Sequence, residues 1–152
     1  MKRLCTLFFC LLLCLSITGC GIVSSSNSFL LLQKSLTEHG TVTRHIDTHG
    51  GFHGDGIEYT CITYDEAAAS TVESSIKADP RFSPISTDDA LLSSCDNAVA
   101  YEKEIPLPSS VRSSGWYAYV DRSPADSEHV LNFTLILYIA PTHTLHIWRA
   151  DA

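Results

Sequence analysis

The stretch HIDTHGGFHGDG, His45 to Gly56, holds three histidines, two aspartates and four glycines within twelve residues. Imidazole and carboxylate donors this dense point first to a metal. Zinc takes three or four His, Cys, Asp or Glu donors at about 2.0–2.3 Å. His45, Asp47 and His49 stand at i, i+2 and i+4 and would share one strand face, while His53 and Asp55 sit on a loop able to fold back. The stretch is not the helical HExxH pattern, because glycines deny it a helix and no glutamate stands between the histidines. A phosphate cradle would want a lysine and a following helix, and neither is there. The same residues also fit a plain hairpin loop, with glycines setting the turn and aspartates accepting from loop N–H groups. Local spacing leaves the two readings open.

The elements that must position this loop are legible on both sides of it. TVTRHID (41–47) alternates, with Val42, Arg44 and Ile46 expected on one face and Thr43, His45 and Asp47 on the other. IEYTCITY (57–64) is rich in β-branched and aromatic residues, with Ile57, Tyr59 and Cys61 on one face. The two predict a hairpin with a long, glycine-dependent loop. DEAAASTVESSIKADP then predicts a helix. Asp65 suits its N-cap, Lys77 its last turn, Pro80 stops it, and Ala69, Val72 and Ile76 form its buried stripe. Residues 81–114 are rich in Ser and Pro, with one more short helix capped by Ser86, Thr87 or Asp88.

The C-terminal end is strongly β. Gly115 to Asp121 is one strand, and VLNFTLILYI and TLHIWRA form a hairpin around Ala140 to His143. With Pro141 and Thr142 at the turn, Leu135 faces Trp148 and Leu137 faces His146. His146 then lands among core residues, where a histidine finds local partners rather than a ligand. The aromatics Trp116, Tyr117 and Tyr119 fit core packing better than a binding strip.

The N-terminus addresses the chain. Met1-Lys2-Arg3 is a basic start, Leu4 to Ile17 is apolar, and Ile17-Thr18-Gly19-Cys20 closes the run. This is signal-peptide architecture, and the cysteine after Gly19 resembles the lipobox of bacterial lipoproteins. That resemblance implies a diacylglycerol thioether at Cys20 and cleavage before it. The competing reading is an uncleaved anchor, since Leu4 to Val23 is twenty uncharged residues; no basic stop-transfer cluster follows it. The expected organisation is a signal peptide at 1–19, a lipidated Cys20 with a short tether to residue 28, and one domain at 29–152. Phe29, Leu32 and Leu36 share a helical face. The cluster Phe29–Leu32 is apolar enough to pack on the domain or dip into lipid.

Losing Lys2 and Arg3 with the signal leaves eight basic residues against seventeen acidic. That balance argues against nucleic acid as a partner and against the whole body lying flat on anionic lipid. Of six cysteines only Cys61 and Cys95 remain outside the signal and the anchor. An oxidising compartment permits a disulfide between them, and two inert thiols are the alternative. No GxSxG pattern marks a nucleophile.

Three pieces taken together resemble a family of small lipoproteins from low-GC Gram-positive bacteria. They are DTHGGFHGDG (Asp47 to Gly56), DPRFSPI (Asp79 to Ile85) and the ending from Trp116 to Ala150 with its NFTL strand. The resemblance covers most of residues 47–150 and implies one compact domain that displays the loop; it assigns no activity.

The fold expected is α+β: a single antiparallel sheet of about five strands, ordered ββ-α-insert-βββ, with one main helix on one face. The function expected is that of a lipid-anchored protein on the extracytoplasmic side of the cell membrane, a non-enzymatic module for an envelope or surface partner, with no cofactor. The alternative is a zinc-binding lipoprotein that uses His45, Asp47, His49, His53 and Asp55.

Overall fold

Strand-forming runs from the two ends of the chain meet in one sheet. The computed structural model describes residues 25–50, 54–86, 90–123 and 132–152. The signal peptide, Cys20 and the first part of the tether fall outside the described residues. In chain order the elements are α1 (Ser25–Thr37), β1 (Thr41–Asp47), β2 (Gly56–Thr63), α2 (Glu66–Ala78), β3 (Ser83–Pro84), α3 (Ala90–Val99), α4 (Pro108–Val111), β4 (Gly115–Asp121), β5 (Phe133–Ile139) and β6 (Thr144–Asp151). All neighbours in the sheet are antiparallel, in the order β1-β2-β6-β5-β4-β3. The class is α+β, as expected. The sheet has six strands because the two-residue β3 pairs with Trp116 and Tyr117 along its edge. Pro84 fits there because an edge strand can spare an N–H.

The β5–β6 register follows the sequence reading: Leu135 pairs with Trp148 and Leu137 with His146. A single 3₁₀ turn, Ala140–Thr142, makes the connection, and His143 leaves it in the left-handed region at φ 51°. Helix α2 also starts and stops as expected. The Asp65 carboxylate accepts from the Ala68 N–H at 2.8 Å, and Ala69, Val72 and Ile76 are buried.

Helices cover both sheet faces, which explains why every residue of β5 is buried. On one face Phe29 and Leu36 of α1 and the α2 stripe pack on Ile62, Ile136, Tyr138, Leu145 and Ile147. On the other, Leu92, Cys95 and Val99 of α3 join Tyr59, Phe133, Leu135, Leu137 and Trp148. The Trp148 indole N–H donates to the Pro106 carbonyl at 2.9 Å, so the insert is tied down by a core side chain. Trp116 packs with the first cluster and Tyr117 and Tyr119 with the second, so the three aromatics form no common strip.

Two details depart from the sequence reading. Helix α1 begins at Ser25, inside the segment expected as tether. In β1 the pairing shifts between Val42 and Arg44, so Thr43 is an extra residue. The bulge turns Val42 to the Ile62 side, away from Arg44 and Ile46, and leaves it exposed.

Cys61 and Cys95 are both unbridged thiols, half-buried on β2 and buried on α3 respectively. Among the described residues no helix is long and apolar enough to cross a membrane.

Candidate functional site

The β1–β2 hairpin closes as two layers of bonds. Thr48 N–H donates to the Ile57 carbonyl at 3.0 Å, and Ile57 N–H returns to Thr48 Oγ1 at 3.0 Å. Further out, Gly50 N–H reaches the Asp55 carbonyl at 3.4 Å. Gly56 starts β2 directly against this turn. A Cβ there would sit 2.5 Å from the His49 Cα and 2.6 Å from its backbone nitrogen, so no side chain fits. Gly54 takes φ +72°, a conformation glycine adopts at no steric cost.

That approach sets His49 between two carboxylates. Its backbone N–H donates to Asp47 Oδ1 at 3.0 Å, and its ring Nδ1 donates to the same oxygen at 2.6 Å. On the opposite side of the ring, Nε2 lies 3.2 Å from Asp151 Oδ2. Asp151 ends β6, and Gly56 is its strand partner. Two basic groups share it: Arg122 donates to Oδ1 at 2.5 Å and Arg149 Nε to Oδ2 at 3.1 Å. Arg122 also donates to the Phe133 and Ala150 carbonyls at 3.0 and 2.9 Å. The result is a chain of charge, Asp47–His49–Asp151–Arg122, running from the loop base to the ends of β4, β5 and β6.

The electrostatics follow from the contacts. Burial opposes charge on His49, but the two aspartates outweigh it and raise its pKa above 6.5. The His49 backbone N–H, then its ring, hold Asp47 below the usual carboxylate range. Burial would push Asp151 up, yet Arg122, Arg149 and His49 together keep it low. For both ring nitrogens to donate, His49 must be the imidazolium. In that state it has no lone pair for a metal or for taking a proton.

The five sequence candidates therefore part company. Asp47 and His49 come together in the bridge. His45 shares the Asp47 face of β1 but turns to the Thr60 hydroxyl, 3.1 Å away. Asp55 is exposed and offers its backbone carbonyl to the loop. His53 lies outside the described residues. Among the described residues no three His, Cys, Asp or Glu side chains gather as a metal ion requires. A zinc ion on His49 would have to displace Asp47 or Asp151 from its ring.

Sequence reasoning missed Asp151, Arg122 and Arg149. The signal was present in part: WRAD at the end of β6 places Arg149 and Asp151 on the strand face opposite Trp148. What local spacing does not carry is that β6 lies beside β2.

The remaining histidine of interest, His146, is half-buried on the other face. It stacks beside Tyr59 and Trp148, with ring centroids 6.2 and 5.8 Å away. Its Nδ1 lies 2.9 Å from the Tyr59 hydroxyl and its Nε2 3.1 Å from that of Thr144. Burial lowers its pKa to about 4. It is a neutral core histidine with both nitrogens satisfied.

No family model matches the chain, and neither a curated protein nor a solved structure matches it.

Proposed function

We propose that the chain is a membrane-anchored extracytoplasmic lipoprotein that works as a non-enzymatic binding module at the cell envelope or surface. The observation that carries this reading is Ile17-Thr18-Gly19-Cys20 at the end of an uncharged apolar run behind Lys2-Arg3. The described domain begins at Ser25, close behind that cysteine. For the binding role, support comes from the β1–β2 loop. Its base is clamped by Thr48, Gly56 and the His49 bridge, while Gly50, Gly54 and Asp55 are exposed. A clamped base that leaves Gly50, Gly54 and Asp55 exposed presents them to a partner at low entropic cost.

The test is Cys20→Ala in the expressing cell. Incorporation of a fatty-acid probe and retention in the membrane fraction are both expected to be lost. Unchanged labelling of the variant overturns the proposal.

A further inference from the structure

Helix α1 is seated by one side only. Phe29 and Leu36 are buried against the sheet and Leu32 packs partly beside them, while Leu30 and Leu31 stand 55% and 66% exposed. Two adjacent exposed leucines on an otherwise packed helix are a local apolar surface with no protein cover among the described residues. Beside Leu30 opens a cleft of about 190 Å³, walled by Phe29, Leu30 and Val120, with Arg122, Thr134 and Arg149 completing it. Arg149 commits its Nε to Asp151 and keeps a half-exposed guanidinium at the rim. Apolar walls next to a cationic rim match the boundary between acyl chains and phosphates.

The chain places this surface near lipid. From Cys20 to Ser25 is five residues, so the start of α1 reaches at most about 18 Å from the anchor point. Arg81 then holds that end of the helix in place by donating to the Ser28 carbonyl at 2.7 Å. We infer that the outer side of α1, Leu30 and Leu31, is the face the domain lays against the bilayer, dipping both leucines into the acyl boundary with Arg149 at phosphate level. This inference rests on the anchoring reading above. It orients the domain: α3, on the opposite sheet face, points away from the membrane, and so does Tyr101 just beyond it. The acidic excess does not oppose this contact, because the anchor supplies the local concentration and only one face touches lipid.

The test uses the full lipidated chain, purified from membranes and reconstituted in phosphatidylcholine vesicles with brominated acyl chains. Two single variants are compared, Leu31→Trp and Tyr101→Trp. Both positions are exposed, Tyr101 by 88%, so neither substitution disturbs the core. Bromine quenches indole only at contact. The expectation is that bromination roughly halves the added signal at 31 and leaves that at 101 unchanged, as a helix lying in the interface requires. Adding Leu30→Ser to Leu31→Trp is expected to reduce the quenching. Fatty-acid labelling of Cys20 and vesicle flotation are read on the same samples. If the chain is labelled and floats but position 31 is unquenched, the docking inference falls while the anchoring reading stands. Equal quenching at 31 and 101 overturns it as well. Absence of label at Cys20 removes the anchoring reading itself. A dimer of the lipidated chain that Leu31→Ser dissociates would assign the leucines to a second copy and overturn the inference.

Discussion

His49 and His146 are the same residue type on two faces of one sheet, and their surroundings drive them to opposite charge states. His146 meets hydroxyls and aromatic rings, which satisfy a neutral imidazole, so burial acts unopposed and lowers its pKa. His49 meets Asp47 and Asp151, which reward a cation more than burial costs it. One difference decides the outcome: whether the acceptors carry charge. The His146 cluster belongs to the core under α3, whereas the His49 bridge joins the displayed loop to three strand ends.

The largest effect that would break the comparison is acid destabilisation through His146. A group whose folded pKa is depressed stabilises the fold above its unfolded value, and that stability is lost as pH falls toward the folded value. For a fall from 6.5 to about 4, the loss amounts to about 3 kcal/mol across that window. Urea unfolding at successive pH values is expected to show it, and His146→Gln should flatten the slope. A slope that His146→Gln leaves intact would mean that another group drives it.

Next in size is Asp151→Asn. The substitution removes the charge that both Arg122 and His49 face, with an expected cost of about 2 kcal/mol near pH 6. Chemical denaturation measures it, and a cost below a few tenths would show the bridge to be ornamental.

The smallest effect sharpens the comparison. His49→Gln is expected to cost about 1 kcal/mol near pH 5.5, in the range of a partly exposed ion pair. The sign follows from its raised pKa: the contribution is full below 6.5 and is lost as pH rises through the folded value. Toward acid the bridge fails only when Asp47 and Asp151 protonate, below 3.8. Ring-proton NMR should therefore show His49 titrating above 6.5 and His146 near 4. The reverse order would overturn both assignments.

What the sequence made legible was local. Asp65, Pro80 and the Ala69–Val72–Ile76 stripe bound α2 because cap, stop and periodicity all act within one turn or two. The β5–β6 register followed from the placement of Pro141 in a short connection. The bulge at Thr43 escaped because one extra residue leaves an alternating pattern looking intact. The burial of Ile136 and Tyr138 was not legible, because it takes α1 together with α2 to make that side of β5 core. Half the His49 bridge was legible, Asp47 being two residues away, and half was not. Asp151 reaches the ring through the pairing of Gly56 with the far end of the chain.

That pairing also dictates when the sheet can form. Strand β2 has β1 beside it as soon as the hairpin turns, but its inner neighbour is β6, the last strand in the chain. The hairpin must therefore wait, half-paired, until almost all of the polypeptide has been synthesised. Among the described strands β2–β6 is the one pairing that skips others in the chain, and a non-local seam of that kind is the slower one to close. Strands β1 and β2 are made first and locked last.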